Sequence, residues 1–518
     1  RGREREGTEA MSEAPSQAAM GLREGTRIAT VAERQEAGRA ARSQLPRTAI
    51  AQYAPAADRP DPVQVLAAQE TDRVQALLPL RHSRMSVSPF TFYRGSAAVM
   101  ACDLAARPNS GLITQLCGDA HLSNFGMFAA PDRSIIFDIN DFDETNPGPF
   151  EWDVLRLAAS FVLAGNDVDL PADVVRASAT AVATEYRLSM QSYAGMGDLA
   201  VWYDRIGVDV LREWARADGV SSSGKRIEKS AAKARTRDSW SAISKMTEVV
   251  DGQRRFLNQP PLLLRLNMGD DPTQRITRLL QQYQSTLPRD RQQLLGRYHV
   301  IDVGHKVVGV GSVGLLAFVL LMQGRDESDL IVMQAKQAVP SVLEQYTAPS
   351  SFSQSGERVV VGQQFMQAAS DVFLGWVEGA AGRQFYVRQL RDMKFAPDPS
   401  TFDAVTLPGY ARICGRALAR AHARAGDPVA IAAYLGSSDK FDSAVRDFSL
   451  AYADQVGRDF AAYQAGIAAH AISLEDDTAA SRYSVVLDPT AGIELVDLSR
   501  AASSAASAAP SSGTSAST

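Results

Sequence analysis

Residues 117–124 read CGDAHLSN, and residues 137–143 read FDINDFD. Asp119 lies five residues before Asn124, and a turn of that length can aim a carboxylate at a substrate hydroxyl and an amide at a metal ion. Asp141 follows the apolar run 135–137, which predicts a strand end where its carboxylate could hold Mg²⁺ against a triphosphate. Because phosphoryl transfer depends mainly on positioning and charge neutralisation, the two stretches predict a phosphoryl-transfer site.

The composition is that of an ordinary globular chain. It has 518 residues, 45% hydrophobic and 22% charged, which suggests about three domain-sized units. The net charge of −5 gives no global indication of nucleic-acid binding. No stretch reaches the ~18 apolar residues of a membrane span, and the first residues, RGRERE, lack the apolar core of a signal peptide. The three cysteines are odd in number and far apart, which is typical of a reducing cytoplasm, the predicted location.

Residue patterns divide the chain into five segments. Residues 1–45 and 499–518 are poor in large apolar residues and are predicted to be disordered tails. Residues 46–299 show mostly helical patterns and include both acidic stretches, whereas residues 300–400 show β-branched and apolar runs separated by glycine. Helical periodicity returns in residues 401–498. The prediction is an α+β protein in which a helical unit surrounds a small β-rich unit.

A glycine-rich motif lies in the β-rich segment, where residues 309–314 read GVGSVG. A dinucleotide fold would need a long helix next, but only nine residues separate Gly314 from Gly324, and the following strand ends in Lys336 instead of an acid. In a kinase-like lobe, a glycine-rich hairpin covers the phosphates and a lysine on the next strand pairs with them. The second interpretation fits the spacing better.

Glycine suits this position because a side chain would keep backbone N–H groups away from phosphate oxygens. Lys336 would need an acid to hold it, and we expect Glu344, at a helix start after Pro340, or as second choice Glu357. The predicted nucleotide-binding residues are therefore Gly309, Gly311, Ser312, Gly314, Lys336 and Glu344.

Residues 118–124 together with Asp141-Phe142-Asp143 resemble the HGDxHxxN and D-F/W motifs of aminoglycoside and choline phosphotransferases, the small-molecule branch of the protein-kinase-like fold. Residues 152–158, WDVLRLA, look like the helix that follows in those enzymes, and residues 416–423, RALARAHA, look like the helix that precedes their catalytic loop. Cys117 replaces the first histidine of the motif.

The chain as a whole resembles an uncharacterised bacterial family over roughly residues 45–470. The signatures that carry this likeness are FYRG at 92–95, GDAHLSNFG at 118–126, NDFDE at 140–144 and VRQLRDMK at 387–394. The glycine motif and Lys336 follow the catalytic loop, whereas kinases place them before it. If both halves form one site, the kinase-like fold is circularly permuted, which neighbouring surface termini permit.

The phosphotransferase resemblance implies a role for each matching residue. Asp119 would orient or deprotonate the acceptor hydroxyl, while Asn124 and Asp141 would bind Mg²⁺. Lys336 would hold the α- and β-phosphates, and Asp153 would brace the catalytic loop. Asp138 or Asp143 could replace Asp141 as the metal ligand. The three acids lie 14, 19 and 17 residues after Asn124, respectively, and these separations do not distinguish them.

The predicted function is an ATP- and Mg²⁺-dependent phosphotransferase that acts on a small hydroxyl- or amine-bearing molecule, with no nucleic-acid or membrane partner. Two alternatives on the same fold stay open: a nucleotide-binding pseudokinase and a nucleotidyl (AMP) transferase. A metallophosphoesterase would also match the GDAH sequence at 118–121, but the separate D-x-H strand and G-N-H-[DE] loop of that class are missing from the sequence.

Overall fold

The computed structural model describes residues 27–217, 229, 231–233, 239–259, 262–266, 272–307, 309, 311–390, 394–474, 483–488 and 492–497. Residues 1–26 and 499–518, which belong to the predicted tails, lie outside the described residues.

Helices form the larger part of the described chain. Those of the helical unit are Val31–Gln44, Pro62–Glu70, Leu78–Met85, Pro89–Gly95, Ala97–Ala105, Phe150–Asp167, Ala172–Ala194, Asp198–Tyr203, Val208–Ala217, Thr406–Ala425, Pro428–Leu435 and Lys440–Ala468. Four more accompany the β-rich part of the chain, and these are Ser239–Met246, Pro272–Ser285, Arg289–Leu295 and Ser355–Met366.

The largest sheet has six antiparallel strands, in the order Gly375–Glu378, Gln384–Gln389, Leu330–Ala338, Ala317–Gln323, His299–Lys306 and Leu263–Arg265. Smaller sheets pair Ile113–Leu116 with Asn146–Pro149, Phe125–Ala129 with Ile135–Ile139 and Ile206–Gly207, Thr247–Val250 with Gln253–Phe256, and Tyr483–Asp488 with Gly492–Asp497. The predicted α+β class is confirmed. No helix in the described part of the chain is long and apolar enough to cross a membrane.

Two features differ from the predicted segments. The helix Val31–Gln44 lies within the predicted N-terminal tail. Thr30 and Glu33 form a capping box at its start, and Arg34 forms an ion pair of 2.7 Å with Asp427. The sheet also begins at Leu263, before the predicted boundary at residue 300, because this strand pairs with His299–Lys306.

The helix Phe150–Asp167 lies at the centre of the helical unit. Residues 150–165 are all buried, as expected for a helix that is apolar on most of its faces. It packs beside the helices Ala172–Ala194 and Thr406–Ala425 in the main hydrophobic core. This rigid position matters because the helix carries two charged side chains of the site, Asp153 and Arg156.

The six-stranded sheet has an apolar cluster on each face, because side chains alternate along a strand. Val319 and Val332 pack with Ile243 on one face, while Phe318 and Met333 pack on the other. Lys336 lies four residues beyond Val332 and therefore projects from the Val332 face.

Candidate functional site

The turn before Asp119 needs glycine at position 118. Gly118 has a φ of +80°, and a Cβ there would lie 2.1 Å from the carbonyl oxygen of Glu144. The Asp153 carboxylate accepts hydrogen bonds from the backbone N–H groups of Cys117 at 2.8 Å and Gly118 at 3.1 Å. The predicted bracing of this turn by Asp153 is therefore confirmed.

One carboxylate oxygen of Asp119 accepts a hydrogen bond from an arginine, and the other is available to a ligand. The Arg156 guanidinium donates to its Oδ1 at 2.6 Å, and His121 Nε2 lies 3.6 Å from its Oδ2. Burial raises the pKa of Asp119 above its usual value, although Arg156 and Arg94 act in the opposite direction. Within the described residues Oδ2 accepts no hydrogen bond, so it is the oxygen that can accept one from a hydroxyl group.

Asn124 is positioned by the same turn. Its side-chain amide nitrogen donates to the carbonyl oxygen of Asp119 at 2.9 Å, which leaves the side-chain oxygen for another partner. Its own carbonyl oxygen accepts from the backbone N–H of Asn140 at 2.8 Å. This second bond brings the acidic stretch 137–143 beside the Asp119 turn.

Asp143 joins the acidic stretch to the sheet. Its Oδ2 accepts hydrogen bonds from Lys336 Nζ at 2.6 Å and from the Ser312 hydroxyl at 3.2 Å, and its Oδ1 accepts one from the Tyr386 hydroxyl at 2.6 Å. The two predicted half-sites, one on each side of residue 300, therefore meet at one carboxylate.

The charges at this contact stabilise each other. Burial alone would raise the pKa of Asp143, but the charge of Lys336 and its hydrogen bond outweigh burial and lower that pKa to about 2. Burial alone would lower the pKa of Lys336, but Asp141 and Asp143 outweigh it and raise the pKa above its usual value. Lys336 is thus a buried ammonium that stays protonated.

Asp141 lies next to this pair and makes a weaker contact with Lys336 than Asp143 does. Its Oδ2 is 4.0 Å from Lys336 Nζ, and its Oδ1 accepts from the backbone N–H of Asp143 at 3.3 Å. Burial and the neighbouring Asp143 raise the pKa of Asp141. Asp141, Asp143 and Asn124 line one cavity and offer only oxygen ligands, the kind that Mg²⁺ prefers. Among the residues described, no group of three or more His, Cys, Asp or Glu side chains is arranged to hold a metal ion.

Asp138 is not available as a metal ligand, which corrects one of the alternatives from the sequence. It is fully buried and forms an ion pair of 2.5 Å with the equally buried Arg420. Its carboxylate also accepts from the backbone N–H groups of Ile139 and Ala368, both at 2.9 Å. These contacts fix the strand Ile135–Ile139 against the helix Thr406–Ala425, so the role of Asp138 is structural.

Glu344 does not hold Lys336, which corrects the expected partner. Its carboxylate accepts from the backbone N–H of Ser341 at 2.8 Å in a capping box and lies 3.4 Å from Arg358. The second choice, Glu357, lies in the first turn of the helix Ser355–Met366, and Asp143 is the carboxylate that Lys336 contacts.

The glycine motif is held by three arginines of the helical unit. Arg84 donates to the carbonyl oxygen of Gly309 at 2.7 Å, Arg81 to that of Gly311 at 3.0 Å, and Arg73 to that of Val313 at 2.6 Å. Gly309, Gly311 and Ser312 line the same cavity as Asp119 and Asp141. Gly314, with a φ of +93°, instead lies against the side chain of Arg73.

This shared cavity is small, at about 100 Å³. A larger cleft of about 720 Å³ adjoins it, since Arg73 and residues 337–339 line both. Ligand pockets in proteins usually measure about 300–1,000 Å³. The smaller cavity therefore suits a few polar groups, and a whole nucleotide needs more room.

Several residues of the site were missed from the sequence. Arg156 follows Asp153 by three residues on one helix, so the spacing already indicated that both lie on the same face. Arg358 clamps the backbone of the acidic stretch by donating to the carbonyl oxygens of Asp143 and Thr145 at 2.9 and 2.5 Å. No sequence signal distinguished Arg358 or Tyr386 from ordinary helix and strand residues.

The fold and the site together define an α+β protein in which a helical unit and an antiparallel sheet meet at a largely buried cluster of acids and arginines that includes Lys336. The chain belongs to the family described as "Uncharacterized protein conserved in bacteria (DUF2252)", whose model matches residues 73–466. The resemblance to a bacterial family is thereby confirmed, and the match includes both halves of the site. No curated protein and no solved structure matches the chain.

Proposed function

We propose that this protein is an ATP- and Mg²⁺-dependent phosphotransferase with a circularly permuted kinase-like fold, acting on a small-molecule acceptor. The observation that carries the proposal is the convergence of Lys336 and Ser312 on Asp143. Residues that resemble the nucleotide-binding half of a kinase thus contact the acidic stretch that resembles its metal-binding half.

The order of elements in the sheet supports the kinase-like comparison. The glycine motif lies between the paired strands His299–Lys306 and Ala317–Gln323, and Lys336 lies on the next strand, Leu330–Ala338. A glycine-rich hairpin followed by a lysine strand is the arrangement by which kinases hold the phosphates of ATP.

The side chains present suit Mg²⁺ and a triphosphate. Asn124 and Asp141, with Asp143 beside them, are the residues that would hold Mg²⁺, which when bound neutralises charge on the phosphate oxygens. Lys336 would bind phosphate oxygens if it turned from Asp143 towards them. Gly311 and Ser312 line the space where an anion would lie, and the backbone N–H groups of such a loop are the donors expected to bind it.

Asp119 would position the acceptor. The hydroxyl oxygen of the acceptor forms a bond to the γ-phosphorus, the bond from that phosphorus to the β–γ bridging oxygen breaks, and ADP leaves. The hydroxyl proton passes to Oδ2 of Asp119, while Arg156 keeps Oδ1 fixed at 2.6 Å. The raised pKa of Asp119 makes it a better proton acceptor than an ordinary aspartate.

The size of the cavity implies a movement on binding. About 100 Å³ between the glycine motif and Asp119 admits only part of a nucleotide. We infer that the sheet moves away from the helical unit when nucleotide binds, at the contacts of the glycine motif with Arg81 and Arg84. Movement of one lobe relative to the other during substrate binding is common in kinases.

The test is the melting temperature of the full chain with and without ATP and Mg²⁺, for wild type and Lys336→Ala. Lys245→Ala, which removes an exposed lysine of the same charge, is the matched control. Ligand at 100 times its Kd adds about 2.7 kcal/mol of stability. We expect a Mg²⁺-dependent rise in wild type and the control that Lys336→Ala lacks. No rise with any nucleotide would contradict the proposal.

Experiments with labelled ATP distinguish the phosphotransferase from the two alternatives on the same fold, an AMP transferase and a pseudokinase. Transfer of label from the γ-phosphate supports a phosphotransferase, and transfer from the α-phosphate supports an AMP transferase. Binding without any transfer supports a pseudokinase, which the ion pair of Asp119 with Arg156 and the narrow cavity would favour.

A further inference from the structure

Arg94 is a partly buried cation of the candidate site that forms no ion pair within 4 Å among the described residues. It lies in the last turn of the helix Pro89–Gly95 and lines the cavity that also contains Asp119 and Asn124. Its Nε is buried and has no hydrogen-bond partner among the described residues. Its guanidinium carbon lies 5.9 Å from the centroid of the Phe90 ring.

Three other residues that line this cavity also have a buried polar atom without a hydrogen-bond partner in the described structure. These atoms are Oε1 of Gln69, Nε of Arg73 and Nδ1 of His121. Buried polar groups in native proteins are almost always paired, and an unpaired one needs an explanation. Four residues with such atoms line one cavity, which indicates a polar space where a ligand and small side-chain adjustments would complete the hydrogen bonding.

The cations of the site fall into two groups. Lys336 interacts with Asp141 and Asp143, on the side of the predicted metal and triphosphate. The charged group near Arg94 is instead Asp119, the predicted contact of the acceptor. Burial lowers the pKa of Arg94 and Asp119 only partly compensates, as expected for a guanidinium that has a carboxylate nearby but no ion pair with it.

We propose that Arg94 binds an anionic group of the acceptor, a carboxylate or a phosphate, while the acceptor hydroxyl faces Asp119. This inference rests on the proposed function and names its substrate class: a small hydroxyl-bearing acid or phosphate ester. It separates the protein from the aminoglycoside and choline phosphotransferases that its motifs resemble, because the acceptors of those enzymes are cations. A planar guanidinium suits either anion, since it can donate two parallel hydrogen bonds.

The experiment uses inorganic phosphate as the anionic probe and choline as the cationic probe. Each is titrated into the full chain with Mg²⁺ and a non-hydrolysable ATP analogue present, and the melting temperature is followed. The variants are Arg94→Gln, Arg94→Lys and, as a control for loss of one positive charge, Arg205→Gln, whose ion pair with Asp132 is half exposed. Because the Arg94 side chain makes no hydrogen bond to the described residues, Arg94→Gln should fold with an unreduced melting temperature.

We expect phosphate to stabilise wild type and Arg205→Gln, with an affinity at least tenfold lower in Arg94→Gln and intermediate in Arg94→Lys. The affinity for the ATP analogue should stay unchanged in Arg94→Gln. Equal phosphate binding by Arg94→Gln, no phosphate binding by wild type, or stabilisation by choline instead would each overturn the inference.

Two further outcomes separate this inference from the proposed function. If Arg94→Gln loses the ATP analogue as completely as Lys336→Ala does, Arg94 binds the terminal phosphate of the nucleotide, and the acceptor inference is wrong. If wild type binds no analogue but its phosphate binding depends on Arg94 and not on Lys336, the anion site stands and the phosphotransferase proposal fails.

Discussion

Nζ of Lys336 lies 2.6 Å from Oδ2 of Asp143, and this ion pair joins two points of the chain that are 193 residues apart. Lys336 lies on the strand Leu330–Ala338, which pairs with Ala317–Gln323 on one side and Gln384–Gln389 on the other, whereas Asp143 follows the strand Ile135–Ile139 of the helical unit. The pair therefore contributes both to the cohesion of the two units and to the charge of the candidate site.

Asp143→Asn is expected to destabilise the protein by about 3 kcal/mol, because removing one partner of a buried pair leaves the other charge uncompensated. The measurement is the free energy of unfolding from urea titration at neutral pH. Asp132→Asn is the matched control, since the Asp132–Arg205 pair is half exposed and should contribute less than about 1 kcal/mol. Equal losses in both variants would mean that Lys336 finds full compensation in Asp141, 4.0 Å away.

The same pair predicts a dependence of stability on pH. The pKa of Asp143 is about 2 in the folded protein, below its usual 3.8, so the carboxylate stabilises the fold above the usual value. This contribution is lost as the pH falls through the folded pKa. The difference in unfolding free energy between wild type and Asp143→Asn should therefore be complete near pH 5 and shrink steadily towards pH 2. A constant difference would show that Asp143 is not ionised in this pair.

The sequence predicted the Asp119 turn because its geometry depends on short-range order, whereas the brace by Asp153, 35 or 36 residues away, was implied by the resemblance to phosphotransferases. Asp119, Asn124 and the backbone N–H groups that Asp153 binds all lie within one turn, and Asp153 begins the helix that packs behind it. Arg156 was predictable as well, since it follows Asp153 by three residues on the same helix.

The partner of Lys336 was not predictable, because proximity along the chain says little about proximity across two units. Glu344 was expected from its position after Pro340. Ser341 and Glu344 have the S-x-x-E spacing of a capping box, and this local signal indicated that Glu344 would bind the backbone instead. The correct partner, Asp143, becomes visible only when the sheet lies against the acidic stretch.

Asp138→Asn should lower stability and leave Mg²⁺-dependent nucleotide binding intact, whereas Asp141→Asn should keep stability and lose the Mg²⁺ dependence. Asp138 is fully buried against Arg420, so its variant should lose about 3–5 kcal/mol of stability. Once folded at low temperature, that variant should keep its Mg²⁺-dependent nucleotide affinity. Asp141→Asn should remain stable, because burial and Asp143 raise the pKa of Asp141, but its Mg²⁺ dependence should be lost. The measurements are urea unfolding and nucleotide titration at several Mg²⁺ concentrations, and the reverse pattern would make Asp138 the ligand.

Asp119→Asn should leave nucleotide affinity nearly intact and reduce turnover by about 10²–10⁴-fold, the usual contribution of a positioned general base. The amide keeps the shape of the side chain and can still accept from Arg156, but it cannot take the hydroxyl proton. Nucleotide binding and single-turnover transfer of the γ-phosphate are the two measurements, with Asp132→Asn as the control carboxylate. Unchanged turnover in Asp119→Asn would remove this residue from the chemistry.

Gly118→Ala should lower the free energy of unfolding more than Gly252→Ala does, although the two glycines have similar backbone conformations. Gly118 and Gly252 have φ angles of +80° and +75°, so alanine costs about 1–2 kcal/mol of backbone strain at either position. A Cβ at residue 252 meets nothing within 4 Å, whereas one at residue 118 lies 2.1 Å from the carbonyl oxygen of Glu144. The extra loss of unfolding free energy in Gly118→Ala measures how tightly the Asp119 turn is packed against the acidic stretch. Equal losses in the two variants would show that this turn can move away from Glu144, and the spacing between Asp119 and the acids proposed to bind Mg²⁺ would then not be fixed.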